Sequence, residues 1–258
     1  RGYAEYRVPL IFLIREYMKK TIISTCLILL LSTIAVKAQT TADYIKIDTF
    51  SISMDTTDYH FITYAPRAGA VFSFERTKPD ELDTNIALCM VAAFTSKAPE
   101  HIVGTNVCKG ELRTDSTESE TGYCLIIDGT VGIYPLTQNR EESISKAISQ
   151  KGDYFQQMLL ANEYNPVSTN VFKNRTSARR ALVIANQEPF IVETNDRIHI
   201  DTFTTCLLRI GAEQAIYLDM GSWSEGWYRT NDQTIRRIGN NRRSTHLQTN
   251  WITIKRRK

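Results

Sequence analysis

The segment from Ala178 to Asp219 constrains the fold more than any other. "ARRALVIA" (178–185) and "PFIVET" (189–194) are apolar, β-branched runs separated by "NQE", which predicts two paired strands. The period then changes. In "HIDTFTTCLLRIG", Phe203, Cys206, Leu207 and Ile210 fall at i, i+3, i+4 and i+7, with Asp201 or Thr202 available as N-cap and Gly211 as the stop. "QAIYLD" reads as a strand again. A strand, strand, helix, strand unit requires a sheet with a helix laid on it, and it leaves Asp219 at the C-terminal end of a strand, where loops carry chemistry in folds that mix α and β.

The chain upstream is rich in strand patterns. "YIKIDTFSIS" (44–53) alternates apolar and polar residues, and "FITY" and "VFSFER" flank "APRAGA", which predicts a hairpin between them. "IALCMVAAF" (86–94) is an uninterrupted apolar run, the mark of a strand covered on both faces. "YCLIIDGTVGIY" places Asp-Gly between two apolar runs, a strong hairpin signal. From Glu141 to Glu163 the spacing is helical, through Ile144, Ala147, Ile148, Phe155, Met158 and Leu159, with a break at Gly152 and Asp153. The fold class expected is α+β, a mixed β-sheet with few helices in a single domain at 39–258.

That domain boundary follows from the N-terminus. "MKKTIISTCLILLLSTIAVKAQT" from Met18 has a basic pair, an apolar run and small residues near Ala38, the three parts of a secretory signal peptide spanning 18–38 with cleavage after Ala38. The run is shorter than the roughly 20 residues of a membrane span, so no stable span is expected after cleavage. Residues 1–17 precede this start and are expected to be a non-native upstream extension. A secreted or periplasmic location follows.

Removing the leader also removes the basic surplus. The chain has 31 Lys and Arg against 28 Asp and Glu, and residues 1–38 hold six of those bases and two of the acids. The remainder is nearly neutral, and no nucleic-acid partner is expected. One local surplus persists at the C-terminus, where Arg236, Arg237, Arg242, Arg243 and "KRRK" (255–258) meet no acid after Asp232. Cys89, Cys108, Cys124 and Cys206 remain, and both two disulfides and buried free thiols stay open. No cysteine pair has metal-knuckle spacing and the four histidines are scattered, so neither a metal nor another cofactor is expected.

The order Arg179-x-Ala181, hairpin, amphipathic helix ending at Gly211, then Ala215-x-x-Leu218-Asp219 resembles the C-terminal half of the phosphodiester glycosidases. That family carries an Arg-Thr-Ala-x-Gly strand, a Leu-Asp-Gly-Gly-Gly-Ser loop and an earlier Asn-Gly-Gly-Phe-Phe motif. The resemblance covers residues 86–254. Arg179 and Asp219 stand at the family's arginine and aspartate, and Gly221 and Ser222 at part of its loop. Met220 and Val183 replace glycines, and "VAAFTS" keeps only Phe94, with Ala92 and Ala93 in place of Asn and Gly.

The resemblance implies hydrolysis of a glycosidic or sugar-phosphodiester linkage, with an anionic or phosphorylated glycan as partner. Arg179 offers a planar fork of donors suited to phosphate oxygens. Asp219 is the expected acid, base or orienter, and Glu225 and Glu111 are further carboxylates, since acetal hydrolysis needs one group for the leaving oxygen and another for water. Backbone N–H groups at Gly221 and Ser222 suit an anion. Trp223 and Trp227 offer faces for sugar rings, and Asn106 in "GTNVCKGE" is a further candidate contact. Loss of the Asn-Gly-Gly-Phe-Phe motif supports the alternative, a glycan-binding protein that keeps the fold without catalysis. Oligomeric state is not encoded in these patterns.

Overall fold

The computed structural model describes residues 44–95, 101–113, 120–220, 224–239 and 246–257. The expected upstream extension (1–17) and the expected signal peptide (18–38) lie outside them, as do Gly221, Ser222 and Trp223. Thr40–Lys258 forms one compact unit. No helix of the described residues is long and apolar enough to cross a membrane.

Strands β1 (Ile45–Met54) and β2 (Thr57–Pro66) form a hairpin closed at Asp55, which takes a left-handed φ of 53°. β3 (Ala70–Glu75) and β4 (Ile86–Val91) follow, the latter buried at every residue as its apolar run predicts. β5 (Asn106–Cys108) and β6 (Glu111–Arg113) turn tightly at Lys109-Gly110, and β7 (Gly122–Ile127) and β8 (Thr130–Pro135) turn at the predicted Asp128-Gly129. Both residues of each turn have positive φ, the geometry that matches the twist of paired strands. Helix α1 (Arg140–Ser149) leads to β9 (Asp153–Gln157), β10 (Leu159–Asn162) and β11 (Asn165–Pro166). Then come β12 (Ser177–Ala185), β13 (Glu188–Ile198), helix α2 (Ile200–Arg209), β14 (Gln214–Leu218), β15 (Gly226–Arg229), β16 (Ile235–Ile238) and β17 (Trp251–Arg256).

The strands make three sheets: β1-β2-β13-β12-β14-β10-β11, β16-β15-β4-β17-β3 and β6-β5-β9-β7-β8. The described ladders are all antiparallel, which corrects the expected mixed sheet. The cause is where α2 returns the chain. β13 and β14 do run in the same direction, as a strand, helix, strand crossover requires, but β12 lies between them and pairs antiparallel with each.

Three local expectations change. β2 and β3 are not a hairpin: β2 pairs β1 and β13 while β3 pairs β17, and the turn at 67–69, with Gly69 at φ 85°, carries the chain from one sheet to another. The helix does not resume after Gly152. The residues of that spacing fall in separate pieces, Phe155 in β9, which is buried between β5 and β7, Met158 in the link after it and Leu159 at the start of β10, so the helical spacing is coincidental. The α2 N-cap is His199 in extended conformation, with Asp201 in the first turn, where its charge favours the helix dipole. Gly211 ends that helix at φ 86°, as predicted.

Alternation in β12 and β14 builds two cores. Leu182, Ile184, Ile216 and Leu218 face the other two sheets, meeting Leu88, Met90, Ile252, Ile126 and Phe155. Ala181, Val183, Ala215 and Tyr217 face the opposite way, toward Phe203, Cys206 and Leu207 of α2. Among the described residues, Cys89, Cys108, Cys124 and Cys206 are buried free thiols.

Candidate functional site

β14 ends at Asp219, a buried residue whose N–H donates to the Ala92 carbonyl at 3.0 Å, just past the end of β4. The β12–β14 register pairs Ala181 with Tyr217 and Arg180 with Leu218, so one further step sets Arg179 opposite Asp219. Side chains alternate along a strand, which places Arg179, Tyr217 and Asp219 on the α2 face and Arg180 on the other.

Arg179 is 1% exposed. Its Nη2 donates to the Arg175 carbonyl at 2.7 Å and its Nε to the Ile198 carbonyl at 3.4 Å. The guanidinium carbon sits 5.0 Å from the centre of the Phe172 ring and 6.0 Å from that of Tyr217, within cation–π reach. Phe94, Phe172 and Tyr217 form a three-ring group with centroids 5.7 to 6.0 Å apart. Phe172 is held at φ 62°, a conformation costing an L side chain roughly 1–2 kcal/mol. Such strain concentrates at functional sites. Burial pushes the Tyr217 phenol upward; the Arg179 cation and its hydrogen bond pull it down, and the Asp219 charge pushes it up again. Tyr217 therefore stays a neutral donor between a fixed cation and a carboxylate. Arg179 and Tyr217 are closed from solvent, and Asp219, 8% exposed, is the most accessible of the three.

The other expected site residues are placed differently. Glu225 is buried, with its carboxylate 3.0 Å from Lys78 Nζ and 3.8 Å from Arg237 Nη1. Arg237 is itself held by Glu81 at 2.6 and 2.7 Å, so Glu225 belongs to an ion-pair group assembled from distant parts of the chain. Trp227 is fully buried against Cys89 and Trp251, with the Arg229 guanidinium 5.8 Å from its ring, and offers no face to a sugar. Asn106 is a structural clamp: its Oδ1 accepts from Arg76 Nε at 2.8 Å and its carbonyl from Arg76 Nη2 at 3.1 Å. Glu111 is exposed, and its carbonyl also accepts from Arg76. The sequence reading missed Tyr217, although its place two residues before Asp219 in a strand puts both on one face. Phe172 carries no comparable signal. Among the described residues no group of three or more His, Cys, Asp or Glu could hold a metal ion.

No protein-family model matches the chain, and no curated protein does. Solved structures share its fold. The catalytic domain of zebrafish N-acetylglucosamine-1-phosphodiester α-N-acetylglucosaminidase, auto-inhibited by its pro-peptide, is similar with a TM-score of 0.58 and 10% identity, covering 83% of this chain and 84% of that one. A hypothetical protein from Synechocystis is similar with a TM-score of 0.57 and 11% identity, covering 83% of this chain and 62% of that one.

Proposed function

We propose that the protein is an exported hydrolase of a glycosidic or sugar-phosphodiester linkage. The observation that carries this reading is the convergence of Arg179, Tyr217 and Asp219 on one face at the end of β14, in a fold similar to that of a phosphodiester α-N-acetylglucosaminidase. Arg179 holds an anionic oxygen of the substrate. Asp219 takes a proton from the attacking water, and the neutral Tyr217 phenol gives one to the departing oxygen. The leader at 18–38 supports export to a compartment where glycans are met.

A second reading, a glycan-binding protein without turnover, is favoured by one observation. The second carboxylate expected at the site, Glu225, is engaged by Lys78 and Arg237. The two readings separate in one assay, release of N-acetylglucosamine from an N-acetylglucosamine-1-phospho-sugar diester by the purified protein. Turnover that falls roughly a hundredfold or more in Asp219→Asn is expected for the hydrolase. Saturable binding of the diester without release, weakened in Arg179→Lys, would replace that reading with the binder.

A further inference from the structure

Separate from the Arg179 site, a cleft of about 680 Å³ opens beside the ends of β3 and β17, within the size range of small-ligand pockets. It draws on the basic C-terminal run, which the proposed hydrolase reaction leaves unused. Lys78, Lys109, Lys255, Arg256 and Arg257 line it, against Glu75, Asp80 and Asp83. Two of these acids serve local turns, Asp80 accepting from the Leu82 N–H and Asp83 from the Asn85 N–H, each at 2.9 Å. Lys78 is also paired from outside the lining by Glu225 at 3.0 Å, so five positive groups stand against four negative ones and the cleft keeps a net positive charge.

The floor is built rather than merely charged. Glu75 is bridged by Lys109 Nζ at 2.5 Å and Lys255 Nζ at 2.9 Å, so two ammonium groups share one carboxylate. Lys255 also donates to Ser73 Oγ at 2.7 Å, and Ser73 lies 3.2 Å from Oδ2 of the buried Asp153. The other oxygen of Asp153 accepts the Lys109 backbone N–H at 2.8 Å, fixing that residue at φ 52° in its turn. An ammonium has three donors. Lys255 therefore retains one and Lys109 two, all at the floor of the cleft. On the wall, the Arg257 guanidinium donates to the neutral Asp128 carbonyl, and Arg256 has no ion-pair partner among the described residues.

We propose that this cleft binds a tetrahedral oxyanion carrying two negative charges, the chemistry shared by a sugar phosphate ester and by free phosphate. The anion meets a lining with net positive charge, takes the unused donors of Lys109 and Lys255, and meets Arg256 from the wall. Glu75 keeps the two ammonium groups together in the empty state, so little ordering remains on binding.

Calorimetric titration of the full chain tests the site, with sodium phosphate, glucose 6-phosphate and unmodified glucose as probes. One-site saturable binding of a phosphate-bearing probe is expected, with none of glucose. Lys109→Gln and Arg256→Gln are each expected to weaken it about tenfold, the effect of losing a charged hydrogen bond, while Lys46→Gln on β1 leaves it unchanged. Arg256 makes no ion pair among the described residues, so its variant tests the site without disturbing the Glu75 network. Equal affinity for phosphate and glucose 6-phosphate identifies the free anion as the ligand, and tighter binding of the ester identifies the sugar phosphate. Absence of saturable binding, or unchanged binding in both cleft variants, would overturn the proposal.

Discussion

Asn250 grips Ala93 from both sides: its Oδ1 accepts the Ala93 N–H at 2.6 Å and its Nδ2 donates to the Ala93 carbonyl at 3.0 Å. Both residues are fully buried. The side-chain amide thus does for one residue what a neighbouring strand would do, just where β4 has ended and the chain passes Asp219. Ala92, the residue before, receives the Asp219 N–H, so the clamp also sets the position of the candidate site.

Asn250→Leu keeps the volume and removes both partners. Each of the two buried backbone groups left without a partner costs about 1–3 kcal/mol, so a loss of roughly 2–6 kcal/mol is expected in urea unfolding. A loss below about 1 kcal/mol would show that water or a shifted strand replaces the amide.

Why was Asn250 invisible in the sequence while Asp219 was not? Asp219 closes a run whose period changes are local, from strand to helix to strand, and every step can be read within forty residues. Asn250 acts on a residue 157 positions away. The same distinction explains Glu225 and Trp227. Both follow closely on Asp219 in the sequence, but their partners are distant: Lys78 comes from the segment between β3 and β4, Cys89 from β4 and Trp251 from β17. The helical spacing after Gly152 has another source: Phe155, Met158 and Leu159 fit it, but Phe155 is held in β9 by β5 and β7 and Leu159 in β10 by β14, pairings that no local pattern shows.

Arg180 and Glu193 form a buried ion pair, with Nη2 2.6 Å and Nε 2.8 Å from the same carboxylate oxygen. Glu193→Gln leaves the guanidinium buried without its counter-charge and is expected to cost roughly 3–5 kcal/mol. Replacing the pair together, as Arg180→Met with Glu193→Leu, removes both charges and is expected to cost much less or to stabilise. Chemical unfolding of the two variants checks the order. A double variant as unstable as Glu193→Gln would mean that the pair is needed for more than mutual neutralisation.

The cysteines give a chemical test of the core. Cys89, Cys108, Cys124 and Cys206 are buried and free, and burial raises the pKa of each thiol. The thiolate is the reactive form. A colorimetric thiol reagent should therefore label none of the four in the native protein and all four after unfolding without a reductant. Labelling that requires reduction would reveal disulfides, and rapid native labelling would reveal an opened core.

Glu75 gives stability an acid limit. Burial alone would raise its pKa, but the hydrogen bonds from Lys109 and Lys255 hold it below the ordinary 4.5. The unfolded chain therefore takes up this proton first. Glu75 contributes stability above 4.5, and that contribution fades as pH falls from there through the lower folded value. Asp153 acts in the opposite sense. Its burial outweighs the hydrogen bonds from Phe74, Lys109 and Ser73 and raises its pKa above 3.8, so protonation in the same acid range favours the folded state. Glu75→Gln should lose roughly 1 kcal/mol or less at neutral pH, discounted because the lysines are partly exposed. As pH falls below 4.5 its midpoint in urea should approach that of the parent. Variant and parent curves that remain parallel across the acid range would mean that the two lysines do not lower the Glu75 pKa.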